Sequence, residues 1–244
     1  MSRGVITAYA HSNVSKAVKL MADHEIGSVV VVDDSGPVGI FSERDLLSKV
    51  LAEKRKLEEP ILMEVMTSSF NVIYQDQTLA DAAKTMTSKK GRLIVFDDGV
   101  LTGLVTATDI IKEIHKSGST FDISNVITRR IFEVGPETTL ELVVQLMDKK
   151  RIGSVLVFER KIPKGVFTER DLLKRIAGSN PKLSTRVGEC ATRPVMTAEE
   201  GIDGREAIGI MLRNRIKRLP ITKSGEIVGI VTARDLVAGF AKSV

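Results

Sequence analysis

Gly165-Val-Phe-Thr168-Glu-Arg-Asp171 decides how this chain is read, because the same pattern occurs three more times. The other copies are Gly39-Ile-Phe-Ser42-Glu-Arg-Asp45, Gly103-Leu-Val-Thr106-Ala-Thr-Asp109 and Gly229-Ile-Val-Thr232-Ala-Arg-Asp235. Successive aspartates lie 64, 62 and 64 residues apart, so the 244 residues are one unit repeated four times.

Outward from the motif, each repeat follows one grammar. A short strand and a polar turn, such as Val134-Gly-Pro-Glu-Thr138-Thr, lead into an amphipathic helix. Val14, Ala17, Val18 and Met21, and again Leu140, Val143, Val144 and Met147, fall at i, i+3, i+4 and i+7, one helical stripe. A β-branched run follows (28–32, 93–96, 154–158, 219–222), then a turn such as Asp34-Ser-Gly36 or Lys223-Ser-Gly225. The next strand carries the Gly-apolar-apolar segment and ends at the Ser or Thr, where a second helix opens. The expected unit is β-α-β-β-α.

The copies alternate in kind. Repeats one and three share Ile-Gly-Ser-Val (from Ile26 and Ile152) and Glu-Arg-Asp-Leu-Leu, whereas two and four share Arg-Leu (Arg92, Arg218) and Val-Thr-Ala-x-Asp. The alternation makes a pair of repeats the structural unit, itself duplicated. The first pair is 1–118 (repeats 1–56 and 57–118) and the second 119–244 (119–180 and 181–244). Residues 53–60 and 177–185 read as linkers within pairs, and 115–120 as the break between them.

A hydroxyl followed three residues later by a carboxylate at a helix start is a capping box: the hydroxyl accepts a backbone N–H and the carboxylate reaches back. Two observations ask for more. The third residue on is Asp in every copy, where Glu or Gln is the usual reciprocal capper, and a glycine that permits close backbone approach precedes it each time. A helix N-terminus offers unpaired N–H groups and positive potential to a phosphate. A short carboxylate beside it can accept both hydroxyls of a ribose, as acidic residues do in dinucleotide folds. The pairs Ser42/Asp45, Thr106/Asp109, Thr168/Asp171 and Thr232/Asp235 are therefore candidate sites for a sugar phosphate. Arg44, Arg170 and Arg234 directly precede three of the aspartates and are further candidates for a phosphate.

Composition narrows the class. Hydrophobic residues at 43% and charged residues at 27% suit a globular protein. No apolar run approaches a membrane span, and the start of the chain carries no basic head with an apolar stretch. The single cysteine, Cys190, cannot form an intramolecular disulfide, which fits a reduced, cytoplasmic protein. Net charge is uneven: residues 1–118 hold 14 Lys and Arg against 16 Asp and Glu (−2), residues 119–244 hold 22 against 15 (+7). A basic C-terminal half attracts anions. His11, His24 and His115 are isolated, read as surface histidines, and show no metal-ligand spacing with Cys190. No P-loop, Rossmann fingerprint or zinc ribbon occurs, so nothing supports an enzyme or a catalytic cofactor.

Four copies of Gly-x-x-Ser/Thr-x-x-Asp in phase, with Arg218-Leu-Pro-Ile in the fourth, resemble the cystathionine-β-synthase (CBS) domain family over about Val5 to Phe240. The resemblance implies an α/β (α+β) fold of four β-α-β-β-α CBS repeats in two paired (Bateman) modules. That arrangement is similar to the gamma subunit of AMP-activated protein kinase. It further implies a stand-alone sensor that binds an adenine nucleotide (AMP, ADP, ATP) or S-adenosylmethionine in clefts between paired repeats. The output would pass to an effector protein or to a homodimer. By the family pattern Thr168 and Asp171 would face Thr192, Lys217 and Arg218, and Ser42 and Asp45 would face Thr67 and Arg92. Thr232 and Asp235 would face Thr128 and Ser154; Thr106 and Asp109 would face Ser2 and Ser28. The expected order puts Asp171 with Arg218 first and Asp45 with Arg92 second, because Gly-Ser (Gly27-Ser28, Gly153-Ser154) replaces the basic pair at the other two. The alternative is a nucleic-acid or protein-interaction scaffold built on the basic half, against which the 4% aromatic content argues.

Overall fold

The computed structural model describes residues 2–89, 91–178 and 182–244, and of residues 2, 3 and 89 the backbone alone. The β-α-β-β-α grammar recurs four times. Repeat one holds β2 (Thr7–Tyr9), α1 (Val14–Asp23), β3 (Ser28–Asp33), β4 (Gly36–Ser42) and α2 (Glu43–Leu46), which runs on as a π-helical turn, Leu47–Leu51. After the short α3 (Leu62–Val65), repeat two holds β5 (Asn71–Tyr74), α4 (Leu79–Lys89), β6 (Leu93–Asp97), β7 (Val100–Val105) and α5 (Ala107–Ser117). Repeat three holds β8 (Glu133–Val134), α6 (Leu140–Lys150), β9 (Ser154–Glu159), β10 (Ile162–Thr168) and α7 (Glu169–Ala177). Repeat four holds β11 (Ala198–Glu199), α8 (Gly204–Arg213), β12 (Arg218–Lys223), β13 (Glu226–Thr232) and α9 (Ala233–Ser243).

Each repeat builds a small sheet in which the first strand pairs parallel to the second, and the second antiparallel to the third. The parallel step requires a crossover, which the first helix supplies. In repeat two the N-terminal strand β1 (Ser2–Arg3) adds to the outer edge of β7. The helical stripes read from sequence are buried as expected: Val14, Ala17, Val18 and Met21 in α1, and Leu140, Val143, Val144 and Met147 in α6. Full burial of such a side chain contributes about 1.5–3 kcal/mol, so these stripes outweigh the modest intrinsic preference of ten- or eleven-residue helices.

The chain resolves into two compact units that do not follow its halves. One comprises Ile6–Ser69 with Phe132–Val195, the other Phe70–Ile131 with Met196–Val244 and the N-terminal strand. Repeats one and three thus share one apolar core, repeats two and four another. In the first unit α1 and α2 pack on α7; in the second α4 and α5 pack on α9. The division expected at 118/119 concerns another relation, the pairing of repeats.

The stretches expected to be linkers are structural. The segment 57–67 lies across repeat one, where the α1 amide of Val14 donates to Pro60 O at 3.1 Å. Residues 182–192 do the same for repeat three, with Leu140 N donating to Thr185 O at 2.9 Å. The stretch 121–128 covers repeat four, with Gly204 N donating to Phe121 O at 2.8 Å. Residues 179–181 of the expected linker 177–185 lie outside the described residues. No helix among the described residues is long and apolar enough to cross a membrane.

Candidate ligand-binding site

The motif glycine is explained by a neighbour. A Cβ at Gly39 would stand 2.9 Å from Thr67 O, at Gly229 3.0 Å from Thr128 O, and at Gly165 3.1 Å from Thr192 O. In each case the covering segment makes a two-hydrogen-bond bridge to the residue after the glycine: Thr67 with Ile40, Thr128 with Ile230, Thr192 with Val166. The glycine therefore admits backbone. It also seats a threonine at the mouth of the next helix.

At that mouth all four repeats form the full capping box. Asp45 Oδ2 accepts the Ser42 amide at 3.0 Å and its hydroxyl at 2.5 Å. Asp109 Oδ2 accepts the same two groups of Thr106 at 2.9 and 2.6 Å. Both Asp171 with Thr168 and Asp235 with Thr232 show 2.8 and 2.7 Å. In return each hydroxyl accepts the aspartate amide, at 3.2–3.4 Å. Thr78 and Asp81 at the start of α4 form an identical box with no motif glycine before them. The cap alone thus marks no ligand.

What separates the four positions is the other carboxylate oxygen. Asp171 Oδ1 accepts the Thr192 hydroxyl at 3.1 Å; Asp171 is half-buried and Thr192 exposed. Asp45 Oδ1 accepts the Thr67 hydroxyl at 2.8 Å and lies 2.8 Å from the Lys49 ammonium. That ammonium also donates to Val65 O and Met66 O, both at 2.9 Å, from within the π-helical turn. Asp45 is 5% exposed. At Asp45 the second oxygen is thus held by a cation as well as a hydroxyl, and at Asp171 by a hydroxyl. Asp235 and Asp109 are half-buried, and Thr128 lies in bridge register beside the Asp235 motif.

The remaining candidates are placed as follows. Arg92 directly precedes β6, Lys217 directly precedes β12 and Arg218 opens it; Ser28 and Ser154 open β3 and β9. Each belongs to the compact unit other than that of the aspartate it was matched with. The side chain of Ser2 lies outside the described residues.

Arg44 and Arg170 are engaged elsewhere. Arg44 Nε lies 2.8 Å from Glu169 Oε1 and Arg170 Nε 3.2 Å from Glu43 Oε1, a reciprocal exchange between repeats one and three. Both glutamates are 9% exposed. A Cβ at Gly27 would lie 3.0 Å from a Glu43 carboxylate oxygen, so the Gly-Ser of repeat one makes room for that buried acid. The twice-repeated Glu-Arg in the motif was the signal for this pairing. Arg234 is exposed.

His115 departs from its reading as a surface residue: it is half-buried against Gly209, and its Nδ1 is buried without a partner. Cys190 is free, and burial pushes its thiol above the ordinary range, opposed in part by Arg175. Among the described residues no three His, Cys, Asp or Glu side chains are grouped to hold a metal.

A family model for the CBS domain matches residues 1–52, 62–116, 123–178 and 187–242. The chain belongs to the CBS domain family. Among CBS relatives, protein MJ1225 of Methanocaldococcus jannaschii is 24% identical over 98% of this chain and 96% of its own length. Its crystal structure, described as that of a proposed archaeal homologue of g-AMPK, superposes with a TM-score of 0.85 over 98% of this chain and 97% of that one, at 22% identity. A Pyrococcus horikoshii protein gives 0.67 over 98% and 96%, at 23% identity. These likenesses establish a four-repeat CBS fold. Inosine-5'-monophosphate dehydrogenase of Thermoplasma acidophilum is 35% identical over 113 residues, 46% of this chain but 22% of the enzyme. Protein MK0525 of Methanopyrus kandleri is matched over 58% of its length, again at 35% identity over 113 residues.

Proposed function

We propose that this CBS protein is a regulatory sensor, not an enzyme, and that it takes an adenosyl ligand (AMP, ADP, ATP or S-adenosylmethionine) at its Ser/Thr–Asp pairs. The observation that carries this reading is the division of labour at Asp171. One oxygen completes the helix cap, so the carboxylate is fixed without help from a ligand. The other, among the described residues, accepts just the exposed, exchangeable hydroxyl of Thr192. A vicinal diol can replace that hydroxyl at little cost, since one neutral O–H donor is exchanged for others. The helix N-terminus beside it favours a phosphate.

Thr168, Asp171 and Thr192 form the first site in this reading, and Thr232, Asp235 and Thr128 its counterpart in repeat four. Thr106 with Asp109 and Ser42 with Asp45 and Thr67 complete the set. The family pattern adds Arg92, Lys217, Arg218, Ser28 and Ser154 as contacts, and 1–118 and 119–244 as the pairs that act together. Ligand binding would shift the balance between conformers of the protein and so pass a signal to an effector chain. The dehydrogenase match covers a minor part of that enzyme and brings no chemistry here.

Calorimetric titration of AMP, ATP and S-adenosylmethionine into the native chain and into Asp171→Ala tests the proposal. Affinity for at least one ligand should fall by more than about tenfold in the variant, the scale of a lost charge-assisted contact. The helix cap it removes costs about 1 kcal/mol, which leaves the fold intact in a thermal melt. Undiminished affinity in the folded variant overturns the assignment.

A further inference from the structure

The residue before the motif aspartate is used differently from repeat to repeat, and its own predecessor decides how. The four helix starts read Glu43-Arg44-Asp45, Ala107-Thr108-Asp109, Glu169-Arg170-Asp171 and Ala233-Arg234-Asp235. Arginine thus stands three times beside the carboxylate proposed to hold a ribose, suited by its chemistry to the phosphate that a nucleotide carries. Two of the three arginines are tied down. Arg170 Nε donates to Glu43 Oε1 at 3.2 Å and Arg44 Nε lies 2.8 Å from Glu169 Oε1, each reaching across to the other repeat. Arg234 is exposed and, among the described residues, enters no ion pair.

The glutamates are fixed by more than their arginines. Each donates its amide to the glycine directly before the second strand of its repeat: Glu43 N to Gly27 O at 3.1 Å, Glu169 N to Gly153 O at 3.2 Å. The Glu43 carboxylate folds back over its glycine, where a Cβ would stand 3.0 Å from Oε2. In repeat four the same bond runs from Ala233 N to Lys217 O at 2.9 Å, so a lysine stands where no acid has to be housed. Glycine with glutamate, and lysine with alanine, are two coordinated solutions at one junction. A carboxylate that is 9% exposed needs a cation beside it, because a buried charge left unpaired is strongly unfavourable. That demand keeps Arg170 on Glu43 when a ligand arrives at Asp171.

We propose that the arginine preceding the aspartate serves the ligand's phosphate in repeat four and the protein's own buried acid in repeat three. This rests on the nucleotide reading above and adds to it the choice of ligand at each site. Glu43 is a positioning residue: it withholds Arg170 from Thr168 and Asp171, although it belongs to another repeat. Thr232 and Asp235, with Arg234 available, select a phosphorylated adenosine over the bare nucleoside. Thr168 and Asp171 hold the ribose with less regard for phosphate.

Calorimetric titration of the full chain with adenosine and with AMP or ATP, whichever binds tighter, tests this through the ratio of the two affinities. Glu43→Gln keeps the shape of the side chain and removes its charge, so Arg170 is released. The preference for the phosphorylated ligand should rise at least about fivefold, while adenosine affinity holds within about twofold. Adding Arg170→Gln should cancel that gain, and Arg170→Gln alone should leave both affinities within about twofold. Arg234→Gln should lower the preference at least about fivefold. A purely structural role for Glu43 would move both ligands together, and that result overturns the proposal. So does a gain that survives Arg170→Gln, or a preference that Glu43→Gln does not move. Should Glu43→Gln fail to fold by circular dichroism, the two arginine variants decide, and equal effects of Arg170→Gln and Arg234→Gln overturn the proposal. Binding of S-adenosylmethionine but of no phosphorylated nucleotide overturns this inference alone. Binding of no adenosyl ligand overturns the nucleotide reading beneath it as well.

Discussion

Lys49 is the residue that most changes the ranking of the four aspartates. Its ammonium is bound to Asp45 Oδ1 at 2.8 Å and to two main-chain carbonyls, so in the proposed function it competes with a ribose hydroxyl for that oxygen. Replacing it with methionine keeps the apolar stem and removes the cation, leaving the Asp45 carboxylate and both carbonyls short of a donor. Stability should fall by about 1–3 kcal/mol, read from the midpoint of urea denaturation. The same variant should gain adenosyl capacity, seen as a higher stoichiometry in calorimetry, because Asp45 Oδ1 then resembles Asp171 Oδ1. An unchanged stoichiometry would separate Asp45 from the ligand sites. None of this was visible in the motif, because Lys49 lies outside it. An Asp-to-Lys spacing of four was legible, but its meaning depends on the local π-helical turn, a backbone detail that apolar periodicity does not encode.

At the scale of the element, the sequence carried the repeat, the helical stripes and the capping boxes. It did so because each is a local pattern with a short-range physical cause. The covering segments were missed for the opposite reason. Their apolar residues are too few to show a period and their polar partners lie on another element. Two of them therefore read as linkers in their first few residues and the third was not read at all, although Thr67, Thr128 and Thr192 were named as site candidates. The motif glycine was half legible: close backbone approach was the right reason, while the approaching group is a covering segment. Gly204 offers a sharp check on that packing. Glycine to alanine inside a helix ordinarily stabilises by about 1 kcal/mol. Here the new methyl would collide with the buried Phe121 ring of the covering segment. Gly204→Ala should therefore cost about 1–3 kcal/mol in urea denaturation. Adding Phe121→Leu should recover part of the loss, a coupling between two residues in contact. Simple addition of the two single effects would mean that the segment does not hold that helix.

For the whole molecule, the alternation of the repeats has a second meaning. Glu-Arg-Asp recurs in repeats one and three because Glu43 and Glu169 exchange arginines with each other, within a unit whose core both repeats supply. The alternation was read as a mark of duplicated pairs. It is equally a record of which repeats share a core, and sequence order alone does not distinguish the two relations. The consequence is testable. A fragment ending at residue 118 contains repeats one and two but only half of each core. Light scattering and circular dichroism should show it self-associating or partly unfolded at concentrations where the full chain is folded and monodisperse. A well-folded monomeric fragment would show that a single sequence half closes a core of its own.

The interleaving of the two cores also sets a timetable for synthesis on the ribosome. Repeat one emerges first, yet the helix that completes its apolar core, Glu169–Ala177, is translated more than a hundred residues later. At roughly 5–20 residues per second this is a delay on the order of ten seconds. Throughout that interval the stripe of Val14, Ala17, Val18 and Met21 has its repeat-one neighbours but lacks the packing of α7, and apolar surface left open that long favours association with neighbouring chains on the same polysome.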